Sequence, residues 1–157
     1  MEEEITSFKG KYAFLSNYYH HTITYKGITY TNNEAAFQAQ KCINEEDKLK
    51  FSSLEPNEAK RLGRKIKLRP DWEQVKFQIM YEICCEKFKD PKMEKLLLDT
   101  GDSILIEGNT WHDNIWGYCT CDKCKSSNII GYNNLGQILS LIRLRKRMEM
   151  ENKNEKC

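Results

Sequence analysis

A chain of 157 residues with 39% apolar content can bury one core and is too short for two comfortable ones, so a single domain is expected. The net charge of +2 argues against a general nucleic-acid binder, which would be more basic. Apolar stretches are short and broken by charge, and the acidic start MEEEITSFKGK lacks an apolar signal core, so neither a spanning helix nor a secretory leader is expected.

Seven cysteines, an odd number in a chain with no such leader, give little support to a disulfide framework and point to the cytoplasm. No repeat or low-complexity linker interrupts the chain. One unit is therefore expected over residues 5–147, followed by a polar C-terminal tail, 148–157, liable to fray.

The first third reads as β. Ile23, Tyr25, Ile28 and Tyr30 alternate around Lys26-Gly27, the pattern of a hairpin. Thr31-Asn32-Asn33 then ends the strand and supplies capping side chains for a helix from Glu34 to about Ile43. Pro56 can open a helix reaching Arg64, Asp71 can cap a long one to Phe88, and Pro91 can open one that stops at Gly101. Within the long helix Trp72, Val75, Ile79 and Ile83 recur at helical spacing, as a core stripe does.

Ser103 to Glu107 reads as a short buried strand, Gly108 to Tyr132 as a long polar and aromatic loop, and a final helix begins near Asn133. The basic run Arg143, Arg145, Lys146 and Arg147 reads as a solvated face near a helix end. The fold class is α+β: a compact, mainly helical domain with a small antiparallel sheet.

Three segments carry chemistry. On the first helix Glu34, Gln38 and Lys41 project within roughly 60° of one another, opposite Ala35, Ala36, Ala39, Cys42 and Ile43. An ordinary exposed helix would show the same polar face. First-turn placement favours an ionised carboxylate at Glu34, and such a group can stabilise a ribosyl oxocarbenium ion or take a proton from attacking water.

The second segment, WHDNIWG, crowds Trp111, His112, Asp113 and Trp116 together without apolar period. The two tryptophans either close over the core or wall a pocket on which a heterocyclic base can stack. Asp113 beside such a wall would be a second carboxylate close to the leaving base.

The third segment places Cys119, Cys121 and Cys124 in a C-x-C-x-x-C pattern, which offers a structural zinc three ligands where it wants four. His112, Cys42, Cys84 or Cys85 could supply the fourth. We read the triplet as a reduced, loop-ordering cluster with no metal. No single cysteine is singled out as a nucleophile, and His20 and His21 read as surface residues.

Six ordered stretches together resemble the NADAR family, also called YbiA-like, across nearly the whole chain: FKGKYAFLSNYY from Phe8, YTNNEAAFQAQK from Tyr30, AKRLGRKIKLRPDWEQVK from Ala59, DTGDSILIEGN from Asp99, DNIWG from Asp113 and GYNNLGQIL from Gly131. The resemblance implies a metal-independent, cofactor-free N-glycosidase. Its substrates would be a ribose phosphate or ADP-ribose joined to a nitrogen heterocycle, among them early riboflavin-pathway intermediates and ADP-ribosylated guanine, with ADP-ribosylated nucleic acid as a further partner. Carried residue by residue, the catalytic group falls on Glu34, Asp113 and Trp116. Asn17, Gln38, Lys41, Arg64 and Asn133 fall on positions suited to holding ribose and phosphate. The chain departs from the family pattern at CTCDKCKSSNII, where many relatives carry a short glycine-rich linker. Two rival readings are a non-catalytic ADP-ribose or nucleotide sensor and a zinc-ordered interaction domain.

Overall fold

The structure is a computed structural model and describes residues 3–155. These fall into two compact units, one formed by the chain up to Ser16 together with the chain from Pro91 onward, the other by Asn17–Asp90.

The Asn17–Asp90 unit is built on the expected hairpin. Strands β2 (His20–Tyr25) and β3 (Ile28–Asn32) pair antiparallel through Ile23↔Tyr30 and Tyr25↔Ile28. Lys26 and Gly27 both take positive φ, 48° and 85°, which is the twist that suits a two-residue hairpin. A register shift between His20 and Ile23 marks a bulge near the open end.

Asn32 ends β3 and at once caps helix α1 (Asn33–Ala39), its side chain accepting from the Ala35 N–H at 2.8 Å. Three alanines, Ala35, Ala36 and Ala39, have no exposed surface and let α1 lie close to α3 (Pro56–Gly63) and α4 (Trp72–Lys87). Asp71 stands at the N-cap of α4, although its side chain makes no capping bond. Of the expected core stripe Trp72, Ile79 and Ile83 are buried and Val75 is half-buried. The ring of Trp72 packs on Phe37 with centroids 5.0 Å apart. A short helix, α2 (Glu45–Leu49), lies between α1 and α3 where no helix was expected.

In the other unit, β1 (Glu4–Ile5) pairs with β4 (Ile104–Leu105), and β5 (Gly108–Asn109) pairs with β6 (Tyr118–Cys119). Both pairs are parallel, so the antiparallel expectation holds for the hairpin alone. A two-residue turn forces the chain to reverse, whereas longer connections leave a parallel return open. A 3-10 helix (Gly10–Leu15), α5 (Pro91–Leu98) and the last helix, α7 (Asn134–Glu155), complete a core of Ile5, Phe14, Leu15, Met93, Leu97, Leu105, Leu135, Leu139 and Ile142.

Two expectations change here. The long loop contains a further helix, α6 (Asp122–Ser127); the last helix, α7, spans Asn134–Glu155. The basic run is also not one solvated face. Arg143 is buried and donates to Thr100 Oγ1 and the Ser103 carbonyl, each at 2.8 Å, satisfying groups left open after α5. Arg147 reaches Asp102 at 2.8 Å and the Gly101 carbonyl. Among the described residues no helix is long and apolar enough to cross a membrane.

Candidate active site

Glu34 is only 7% exposed and Gln38 6%, so the polar face of α1 is a buried one. The Gln38 amide donates to Glu34 Oε1 at 2.9 Å, one turn apart on the helix. The Glu34 backbone N–H donates to the Asn17 carbonyl at 3.0 Å. Asn17 in turn accepts from Asn33 Nδ2 at 3.2 Å and directs its own amide at Met80 Sδ, 3.4 Å away. Its side chain therefore fixes the start of α1.

Lys41 lies two residues past the end of α1, which stops at Ala39 rather than near Ile43, and its ammonium is 5.9 Å from the Trp72 ring centre. Burial holds its pKa below the ordinary lysine value; the Glu34 charge works against that, while Arg64, Lys60 and Lys76 push it further down. The Lys41 ammonium thus feels one carboxylate and three cations, of which Lys76 is itself paired with Glu73 at 2.6 Å. Arg64, at the C-cap of α3, is exposed. Lys60 lies over the Tyr18 ring at 5.4 Å. Neither Lys60 nor Lys76 stands out in sequence, because each reads as an ordinary lysine on a helix.

Gly63 is a further residue that sequence reasoning saw only as a helix end. A Cβ there would run into Gln38 Oε1 and come within 2.9 Å of its Cδ. Gln38 Oε1 has no hydrogen-bond partner among the described residues, and only a side-chain-free position leaves it room. Gly63→Ala should therefore cost little stability, since alanine is the better helix former by about 1 kcal/mol. It should swing Gln38 off Glu34 and lower kcat about 10-fold or more, as sub-ångström misplacement of reacting groups does. Equal kcat in the two proteins would show that the Gln38 bond does not matter.

Asp113 and Trp116 belong to the other unit. Asp113 Oδ1 accepts from the N–H groups of Ile115 and Trp116 at 3.2 and 3.0 Å, so one carboxylate oxygen shapes the turn that presents Trp116. Asn109 clasps the same turn, its amide donating to the Asp113 carbonyl at 2.7 Å and accepting from the Asp113 N–H at 3.1 Å. Carbonyls of Ile115, Trp116 and Gly117 accept the N–H groups of Asn134, Leu135 and Asn133, which caps α7 from outside. Trp116 is half-buried and Trp111 exposed, so neither is a core tryptophan.

Asn133 sits at φ 50°. Its Oδ1 accepts from the Glu107 N–H at 2.9 Å and its Nδ2 donates to the Leu105 carbonyl at 2.8 Å. Both ends of the amide thus pin β4 to the start of α7. Gly131, at φ 131°, packs against Asn114 and the Gly117 carbonyl, a close approach that only glycine permits.

The three thiols of Cys119, Cys121 and Cys124 come together with His112, whose Nδ1 lies 3.1 Å from Cys124 Sγ and 3.8 Å from Cys121 Sγ. The structure thereby selects His112 among the possible fourth donors. Cys42, Cys84 and Cys85 belong to the Asn17–Asp90 unit.

The NADAR domain model matches residues 5–148. An N-glycosidase of Nostoc punctiforme, Npun_R5314, is 35% identical over 139 residues, 84% of this chain and 84% of that protein. N-glycosidase YbiA of Escherichia coli is 32% identical over 158 aligned positions, 96% of this chain and 92% of that protein. The NMR structure of E. coli YbiA superposes with a TM-score of 0.79 at 30% identity, covering 96% of this chain and 89% of that one. The riboflavin biosynthesis protein VVA0006 of Vibrio vulnificus is 31% identical over 137 residues, 84% of this chain and 35% of that longer protein.

The expected mainly helical fold with small sheets is the YbiA fold, and the class is that of an N-glycosyl hydrolase. The chain belongs to the NADAR family.

Proposed function

We propose that this chain hydrolyses the bond between a nitrogen heterocycle and a phosphorylated ribose, in a reducing cytoplasm, with Glu34 as the carboxylate that meets the developing charge on the sugar. The observation that carries this reading is the buried Glu34–Gln38 pair together with the Lys41 ammonium, which feels the Glu34 charge and those of Arg64 and Lys60. A carboxylate held by an amide is suited to an oxocarbenium ion or to an attacking water. Cations supply what a phosphate requires. The Arg64 guanidinium offers a fork to phosphate oxygens and Lys41 a point charge. A phosphate would also relieve the mutual repulsion that, with burial, depresses Lys41.

The names of the relatives agree with the bond type, and that of the Vibrio protein directs attention to ribosylaminopyrimidine phosphates. Ribose 5-phosphate and ADP-ribose share the phosphate chemistry. Incubating the protein with ribosylaminopyrimidine phosphates, and separately with ADP-ribosylated guanine nucleotide, DNA and protein, distinguishes them by the mass of the released sugar. Release of ribose 5-phosphate or ADP-ribose is expected. Calorimetric binding with no release from any of them would make the chain a sensor instead.

Base stacking by Trp116 and a second carboxylate at Asp113 belong to the same proposal. Trp116→Phe should raise KM several-fold and shift the melting temperature by no more than a few degrees, because the ring is half-buried and aromatic stacking contributes about 1 kcal/mol. A large fall in melting temperature at unchanged KM would make it a packing residue.

A further inference from the structure

We propose that His112, Cys119, Cys121 and Cys124 form a structural zinc site that orders the loop carrying Asp113 and Trp116. The four ligand atoms, Nδ1 of His112 and three Sγ atoms, all lie within 4.8 Å of one another. A tetrahedral zinc with bonds of about 2.3 Å to sulfur and about 2.0 Å to nitrogen needs its ligands about 3.5–3.8 Å apart. The His112 distances of 3.1 and 3.8 Å bracket that spacing, and the widest pair, at most 4.8 Å apart, must close by no more than about 1 Å.

The surrounding backbone is arranged for a thiolate. The N–H groups of His112 and Cys121 both point at Cys119 Sγ, 3.2 and 3.4 Å away, and such outer bonds stabilise sulfur ligands. Strand β6 places Cys119 through its pairing with Asn109, while Cys121 and Cys124 straddle the start of α6. Cys119 and Cys124 are each 1% exposed, and so only one thiol edge and the imidazole face solvent. His112 is held at φ 69°, a backbone state that a non-glycine residue keeps only when its surroundings over-determine it.

The segment also needs such a staple. Trp111, Ile115, Ile129, Ile130 and Tyr132 are all exposed, leaving the loops little apolar core of their own. Each thiol gives up its proton on binding, and neutral His112 donates through Nδ1, so the complex carries one net negative charge. The ion would have no part in bond cleavage, because its four positions are all taken by protein ligands and none is left for water.

Protein purified without chelator and measured by elemental mass spectrometry should contain about one zinc per chain. Cys121→Ser, which alters the most exposed of the three thiols, should lower that content at least several-fold. Cobalt substitution should give the strong thiolate-to-cobalt charge-transfer absorption of a tetrahedral thiolate site. Anaerobic removal of the metal should lower the melting temperature by about 10 °C, restored by added zinc. Less than about a tenth of an equivalent after zinc reconstitution, or zinc content unchanged in both Cys121→Ser and the triple serine variant, would overturn the site.

Discussion

Glu34→Gln should slow hydrolysis at least about 10³-fold while leaving the melting temperature within a few degrees of the parent. Glutamine matches glutamate in shape, so α1 keeps its packing and the Asn17 carbonyl keeps the backbone N–H it accepts from residue 34. What is lost is negative charge at a position 7% exposed. Water cannot replace that charge, and an oxocarbenium-like transition state loses its counter-charge where electrostatics are strongest.

A second effect follows through Lys41. The Glu34 charge is what works against the depression of Lys41, whereas Arg64, Lys60 and Lys76 add to it. Removing the carboxylate lets the Lys41 ammonium lose its proton more easily, so phosphate binding should weaken together with turnover. Sugar release is read by mass spectrometry and KM from substrate saturation. A rate close to that of the parent would remove Glu34 from the reacting group.

The parts of the fold that local punctuation governs were legible in the sequence. Lys26-Gly27 fixes its hairpin because both residues take positive φ, and Pro56 and Pro91 mark helix starts because their fixed φ suits the first turn, whereas Asp71 stands at the start of α4 with its carboxylate on Arg69 and no capping bond. Long-range pairing was not legible. The partner of β1 lies about a hundred residues away at Ile104–Leu105, and a two-residue strand has no period to read. Short helices such as α2 and α6 fail for the same reason.

Periodicity separated the polar from the apolar residues between Glu34 and Ala39, but α1 ends there, leaving Lys41, Cys42 and an exposed Ile43 beyond the helix, and it could not say what covers either face. Solvent and a packed polar cluster ask for the same residues on a helix wheel, and only burial separates the two. Gly63 is the clearest case: its function is the space it leaves for Gln38, and an absent side chain leaves no pattern. His112 was one of four candidate fourth ligands because spacing does not specify which loop residue folds back onto a thiol cluster.

Lys87 should control how stability depends on pH. It is 1% exposed near the C-terminal end of α4, with its ammonium 5.3 Å from the Tyr19 ring centre and 5.4 Å from that of Phe88. Burial brings its pKa down from 10.5 to about 8, and only a thiolate at the neighbouring Cys84 would act in the opposite direction. Between those two values the unfolded chain holds a proton that the folded chain has shed, so stability rises with pH; below about 8 the cost of burying the ammonium is fully present. Burial pushes Cys84 the other way, from 9.0 up to about 12. Between pH 9 and 10.5 the folded chain therefore keeps a proton at Cys84 that the unfolded chain loses, which cancels the rise due to Lys87 and leaves stability nearly flat. The interval in which Lys87 dominates is thus about pH 8–9. There the parent should gain about 1 kcal/mol, or about 2–4 °C in melting temperature. Lys87→Met keeps most of the buried stem and removes the titration, so the gain across that interval should vanish. At pH 7 the variant should be the more stable by about 1–3 kcal/mol, the cost of a buried ammonium less the bonds it makes. Melting curves of both proteins at pH 7, 8 and 9 decide the matter, and parallel curves would mean that Lys87 keeps its proton throughout.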